Sequence, residues 1–220
     1  MTKLTGGQAA VEALKAEKVD HIFGLIGSAT MEMFDALYDA PEIRFIGVHD
    51  ERTGTHMADG FARASGRAGV ILAGQNGPGA TNLVTGLAQA KAAYSPVVSI
   101  AGMLATGHVY RDAFQEVDQQ ALFGPVTKKT WTVPQSDRVP ELFREAFRTA
   151  LSPRQGPVQL NLPRDVLAGQ ADFDEAPKPN AYRNMSLPAG AGDQIATAAQ
   201  MLATANRPVI VAGGGIKATE

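Results

Sequence analysis

The sequence predicts an α/β protein: a doubly wound parallel sheet of about six strands with helices on both faces, plus the start of a second α/β domain. Three observations predict it. Short apolar runs alternate with helical patterns from Gly7 to Asp165, the order that parallel strands joined by crossover helices require. Composition is that of an ordinary globular chain, 45% hydrophobic and 19% charged over 220 residues, enough for one well-cored domain and part of another. From residue 166 to 190 the character changes to Pro177, Pro179 and Pro188 among Ala, Gly and Asp, with few large apolar side chains.

The elements follow in order. From Gly7 to Lys18, Ala10, Ala13 and Leu14 recur at helical spacing. His21 to Ile26 reads as a strand, closed by Gly27-Ser28. Ser28 is the expected N-cap of a helix with Met31, Phe34 and Leu37 on one face, ended by Pro41. Met31, Met33 and Phe34 are expected in the core. Ile43 to Val48 reads as a buried strand. Its helix runs from Glu51 to Ser65 and stops at Gly66, a left-handed terminator. A third unit has the strand Val70 to Ala73, the turn Gly74 to Gly79, and a helix carrying Leu83, Val84, Leu87 and Ala88. Val97 to Ala101 leads into a longer loop from Gly102 to Ala113. Trp131 to Val133 and Val158 to Leu162 are two further strands, separated by a helix from Asp137 to Leu151. Arg164-Asp165 would close the domain as an ion pair.

The expected organisation is therefore a first domain over residues 1–165, a linker over 166–190, and the start of a second domain over 191–220. In the last part, Gln194 to Ala205 is helix-like, and Pro208 to Ala212 reads as an apolar strand ending in Gly213-Gly214-Gly215. Such a strand needs neighbours, so the 220 residues are expected to be the N-terminal part of a longer protein.

A net charge of −2 offers no footprint for nucleic acid. No apolar run approaches the roughly 20 residues that span a bilayer, and the first ten residues lack a signal peptide's apolar core. Without cysteine there is neither a disulfide framework nor a thiolate nucleophile. A cytoplasmic protein with no membrane partner is the default.

In open parallel sheets ligands bind outside the carboxyl ends of the strands. Four successive strands end at Gly27, at Glu51, in the Gly74 to Gly79 turn and at Gly102, which describes a concave site lined by backbone and one carboxylate. Each feature also has a plain reading. Glycines at such turns serve backbone conformation, and a first-turn Glu is favoured by the helix dipole. No loop reads G-x-x-x-x-G-K-[ST], and Gly24-Leu25-Ile26-Gly27 lacks the third glycine of a dinucleotide fingerprint. His49 and His56 flank Glu51 at a spacing of seven, which fits no usual zinc pattern, so no metal ligand is expected here.

Taken together, FGLIGSA at 23–29, HDERTGTHMADGFARASG at 49–66, NGPGATN at 76–82, DAFQE at 112–116 and GPVQLNLPRDV at 156–166 resemble the N-terminal pyrimidine-binding domain of thiamine-diphosphate-dependent enzymes of the acetolactate synthase type. The resemblance runs from Leu4 to Val166 and resumes in the linker and the triple glycine. It implies that Glu51 shares a proton with N1′ of the cofactor's aminopyrimidine ring, that Ile26, Gly27, Pro78 and Asn82 frame that ring, and that Gln115 points toward the reacting carbon. Arg154 matches an arginine that contacts FAD in acetolactate synthases. Mg²⁺ and the diphosphate are implied on an absent C-terminal domain, and a 2-keto acid as substrate. A homodimer or homotetramer is implied as well, so that this chain alone is half of a site and inactive.

The family's aromatic-proline pair is Leu25-Ile26 here. FGLIGSA, Gln75-Asn76 and FQEVDQ at 114–119 are more similar to sulfoacetaldehyde acetyltransferase, which implies acyl transfer to phosphate as an alternative. A non-catalytic interaction protein that retains the domain, and a nucleotide-binding protein on the same sheet, are the readings of other classes.

Overall fold

The computed structural model describes residues 1–184, 189–214 and 216. The chain begins with β1 (Thr2–Thr5), and Thr5 then caps α1 (Gly6–Ala16). Thr5 Oγ1 accepts from Gln8 N–H while Gln8 Oε1 accepts from Thr5 N–H, so two orphan donors of the helix start are satisfied reciprocally. There follow β2 (His21–Leu25), α2 (Met31–Tyr38), β3 (Arg44–Gly47), α3 (Glu51–Ser65), β4 (Gly69–Ala73), α4 (Pro78–Asn82) and α5 (Val84–Ala92). The first unit is completed by β5 (Val97–Met103), α6 (Gln119–Phe123), β6 (Thr130–Thr132), α7 (Val139–Leu151), β7 (Val158–Pro163), α8 (Arg164–Ala168) and β8 (Gln170–Phe173).

Six strands form one parallel sheet in the order β3-β2-β4-β5-β7-β6. Side chains alternate through it. Val70, Leu72, Val98, Ile100, Leu160 and Leu162 join a core with α1, α2 and α7, whereas Ile71, Ala73, Val97 and Ala101 join one with α3, α5 and Phe123 of α6. Helices thus cover both faces, as expected for a doubly wound sheet. β2 leads outward to β3 and β4 leads the other way to β5, so the strand order reverses between β2 and β4.

Five expectations are corrected. Ile43 to Val48 is not a strand buried on both sides: β3 lies at the sheet edge, with Arg44 and Gly47 exposed. Ser28 does not cap α2; it opens a 3₁₀ turn over Ser28–Thr30, and its hydroxyl donates to Gln75 Oε1 at 2.9 Å. Met31 is 52% exposed, while Met33 and Leu37, four residues apart in the same helix, take its buried face. Arg164 and Asp165 do not pair with each other: Arg164 Nε reaches Glu32 at 3.4 Å, and Asp165 accepts from Thr106. The linker expected from residue 166 is regular structure up to Phe173, since β8 pairs antiparallel with β1.

The first unit runs to Tyr182, whose hydroxyl donates to Glu17. In the second unit α9 (Gly192–Thr204) matches its expected helix. Val209, Ile210 and Val211 are exposed and form no strand, because no other described residues supply a ladder for them. Pro188 and Gly215, invoked for the linker and the triple glycine, lie outside the described residues.

Candidate functional site

The carboxyl ends of β2 and β4 meet backbone to backbone. Gly74 N–H donates to Leu25 C=O and Ala29 N–H donates to Gly74 C=O, both at 2.9 Å. A Cβ on Gly74 would fall 2.0 Å from Gly27 N, and one on Gly27 would fall 2.6 Å from Gly74 C. Only glycines allow this approach, which fixes the two loops as one surface.

Glu51 comes to that surface from α3. Asp50 is the N-cap: its Oδ1 accepts from Arg52 N–H at 2.8 Å, so the helix starts with Glu51 as its first residue. The Glu51 side chain is buried. Its Oε2 accepts from Asn82 Nδ2 at 3.0 Å, the one hydrogen bond its carboxyl makes among the described residues. The other oxygen faces Gly79, where an added Cβ would lie 3.1 Å from Oε1. A buried carboxyl with one oxygen unpaired beside a glycine calls for a hydrogen-bonding partner there, and an aminopyrimidine nitrogen is a group of that kind.

The loop from Gly74 to Asn82 links the remaining residues. Gln75 Oε1 accepts from Ser28 N–H and Oγ, and Gln75 Nε2 donates to Gln115 Oε1 at 2.6 Å. Asn76 Nδ2 donates to Phe114 C=O at 3.3 Å and Gln115 C=O at 3.0 Å. At Gly77 φ is +57°, and a Cβ there would fall 2.5 Å from Gln115 O. Gly27, Glu51, Pro78, Asn82 and Gln115 are therefore brought together around one loop. Ile26 stands at the rim, 66% exposed.

Arg154 is not brought to this surface. It lies before β7 and stacks on Tyr94, which lies before β5, so both occupy the amino edge of the sheet. Its guanidinium sits 4.9 Å from the Tyr94 ring centroid and donates to the hydroxyl at 2.8 Å. Gln75, Asn76 and Ser28 are the residues of the network that sequence reasoning left out of the site. The available signal was a Gln-Asn pair between a fully buried strand and a Gly-Pro-Gly turn.

Two further carboxylates lie at this edge. Backbone N–H groups of Tyr110 and Ala113 hold the Glu116 carboxyl below its ordinary range. Burial works against ionisation of Asp165, but hydrogen bonds from Thr106 outweigh it and lower its titration. Among the described residues, no group of three or more His, Asp or Glu side chains could hold a metal ion, and no helix is long and apolar enough to cross a membrane.

Residues 4–122 match the family described as thiamine pyrophosphate enzyme, N-terminal TPP binding domain. The chain is 44% identical over 218 residues to a probable acetolactate synthase large subunit of Methanocaldococcus jannaschii, covering 97% of this chain and 36% of that protein. It is 40% identical to an acetolactate synthase of Mycobacterium bovis, with 98% and 35% covered. It is 37% identical to an acetolactate synthase large subunit of Buchnera aphidicola subsp. Schizaphis graminum, with 98% and 38% covered. The chain thus spans little more than a third of the length of these relatives.

Proposed function

The chain belongs to the thiamine pyrophosphate enzyme family, whose N-terminal TPP-binding domain it carries, and we propose that its strand-end cleft holds the aminopyrimidine of thiamine diphosphate for an acetolactate synthase-like carboligase acting on 2-keto acids. The observation that carries the proposal is the buried Glu51 carboxyl, fixed on one oxygen by Asn82 and open on the other beside Gly79. When bound, the cofactor supplies an electron sink for decarboxylating a 2-keto acid.

The chain's own residues then have separable tasks. Glu51 would hold the aminopyrimidine by sharing a proton with a ring nitrogen, and its burial would keep water from that proton. Asn82 keeps the carboxyl in place by donating to Oε2 at 3.0 Å. Ile26 and Pro78 offer apolar surface to the ring, and Gly27 and Gly79 allow its close approach. Gln115, held by Gln75, orients the substrate. In this reading the diphosphate and its Mg²⁺ are held on a C-terminal domain, the site is completed across a homodimer or homotetramer, and the protein is cytoplasmic. A flavin contact at Arg154 would be a second site, since Arg154 lies on the opposite edge of the sheet from Glu51.

The identity to acetolactate synthases supports carboligation over acyl transfer to phosphate. The test is a product assay on the full-length enzyme with thiamine diphosphate and Mg²⁺. Pyruvate alone is expected to give acetolactate and CO₂. Acetyl phosphate from sulfoacetaldehyde and phosphate, with no acetolactate from pyruvate, would overturn the carboligase reading in favour of acyl transfer.

A further inference from the structure

The loop that carries Gln115 has little to hold it in place by packing. Tyr110 is 95% exposed and Phe114 80% exposed, so neither aromatic anchors it in a core. Its backbone is also strained: Tyr110, Asp112 and Gln115 have φ of +66°, +50° and +60°, a region that side chains other than glycine rarely enter. Such conformations persist only where their surroundings enforce them.

The enforcing group is a carboxylate in the next residue. Glu116 Oε1 accepts from Tyr110 N–H at 2.6 Å and Oε2 accepts from Ala113 N–H at 3.0 Å. Ala113 C=O in turn accepts from Glu116 N–H at 3.0 Å. One anion therefore closes the turn from Tyr110 to Glu116 on both of its oxygens, with the strength of charge-assisted hydrogen bonds. From outside, the turn is met by Asn76 on the carbonyls of Phe114 and Gln115 and by Gln75 on the Gln115 side chain.

We propose that Glu116 is a positioning residue: its carboxylate folds the 110–116 turn so that the Gln115 side chain is presented to the cleft beside Gly77. The inference rests on the reading that Gln115 orients the substrate, but its test does not depend on turnover. Gln in place of Glu116 keeps the shape and leaves one acceptor oxygen, while its amide group turns donors toward a backbone N–H that needs an acceptor.

The experiment is amide hydrogen exchange and side-chain amide NMR on the 220-residue chain as parent, Glu116→Gln and Glu116→Asp. Exchange at Tyr110 or Ala113 is expected to quicken about tenfold in Glu116→Gln, while Val70, Ile71 and Leu72 in the central strand keep their protection. The Gln115 side-chain amide resonance should move, and Glu116→Asp, which keeps both acceptor oxygens, should return it toward the parent position. Unchanged exchange and an unmoved Gln115 resonance in Glu116→Gln would overturn the proposal. So would loss of protection throughout the central strand, which would make Glu116 a general fold residue. A separate Gln115→Ala variant with normal turnover in the full-length enzyme would instead count against the role of Gln115, whatever the exchange data show.

Discussion

The two edges of the six-stranded sheet are finished differently. At the amino edge, charged side chains fasten the loops. Arg67, ahead of β4, donates to Asp20 at 2.8 Å and to Lys18 C=O at 2.6 Å, which ties it to the start of β2. Lys128, ahead of β6, donates to Thr149 C=O and Ser152 Oγ at the end of α7, satisfying carbonyls that a helix terminus leaves open. At the carboxyl edge the β2, β4 and β5 loops are joined to one another by glycine backbone and neutral amide side chains, with Glu116 and Asp165 each tying a loop to backbone N–H groups, while a buried carboxyl, an exposed Ile26 and a strained turn are left facing outward. At the amino edge charged groups serve only to close the fold, whereas the carboxyl edge also keeps a buried carboxyl with one oxygen available to a ligand. Substitutions at the two edges should therefore separate stability from activity.

The sharpest separation is expected at Glu51. In the full-length enzyme Glu51→Gln should lower turnover by about 10³-fold, the range of a lost general acid-base group. Its stability in urea should change by less than about 1 kcal/mol, since the Gln carbonyl can still accept from Asn82. Equal losses of both would break the comparison. At the amino edge the reverse is expected: Lys128→Met keeps the apolar stem but strips the α7 terminus of its donor, destabilising the protein by about 2 kcal/mol in urea titrations with turnover unchanged. Burial lowers the titration of Lys128, and its ammonium donates to the Thr149 carbonyl at the helix end.

A smaller effect is expected at Ile26. Ile26→Ser removes apolar surface that is exposed in this chain, so unfolding should shift by no more than about 0.5 kcal/mol. The thiamine diphosphate concentration for half-maximal activity should rise about tenfold, because that surface is proposed to cover the ring. The smallest effect concerns pH. Hydrogen bonds from Arg67 and then His21 lower the Asp20 carboxyl from 3.8 to about 2. A lowered folded value means that its contribution is present above the unfolded value and is lost as pH falls through the folded one. Urea midpoints should therefore fall slightly between about pH 4 and about pH 2, and Asp20→Asn should flatten that part of the profile. An unchanged slope would remove Asp20 from the fastening of the amino edge.

Much of this arrangement was legible in the sequence where the signals were local. The helix from Glu51 to Ser65 has the ends its sequence predicts: Gly66, at φ +69°, is the left-handed stop, and the structure adds Asp50 as the cap. β1 and β8 went unseen because their pairing, Thr2 with Phe173 through Thr5 with Gln170, joins four-residue segments from opposite ends of the unit. No periodicity marks so short and so distant a pair. The apolar run at residues 208–212 forms no strand for the complementary reason, since hydrophobicity alone does not supply the hydrogen-bonding neighbours it needs. Within the site, Glu51, Asn82 and Gln115 were named from family motifs, and the structure shows the contacts that join their loops. The Ser28–Gln75–Gln115 chain could not be read in advance, because it depends on side chains 47 and 40 residues apart meeting over a glycine contact.

In the proposed function the carboxyl edge reads the cofactor's ring through Glu51. The most direct measurement is the position of thiamine diphosphate in a crystal of the full-length protein with Mg²⁺. N1′ of the aminopyrimidine is expected at about 2.7–3.2 Å from a Glu51 carboxyl oxygen, with the ring between Gly79 and Ile26. A ring bound elsewhere, or one lying beyond hydrogen-bonding distance of Glu51, would contradict it.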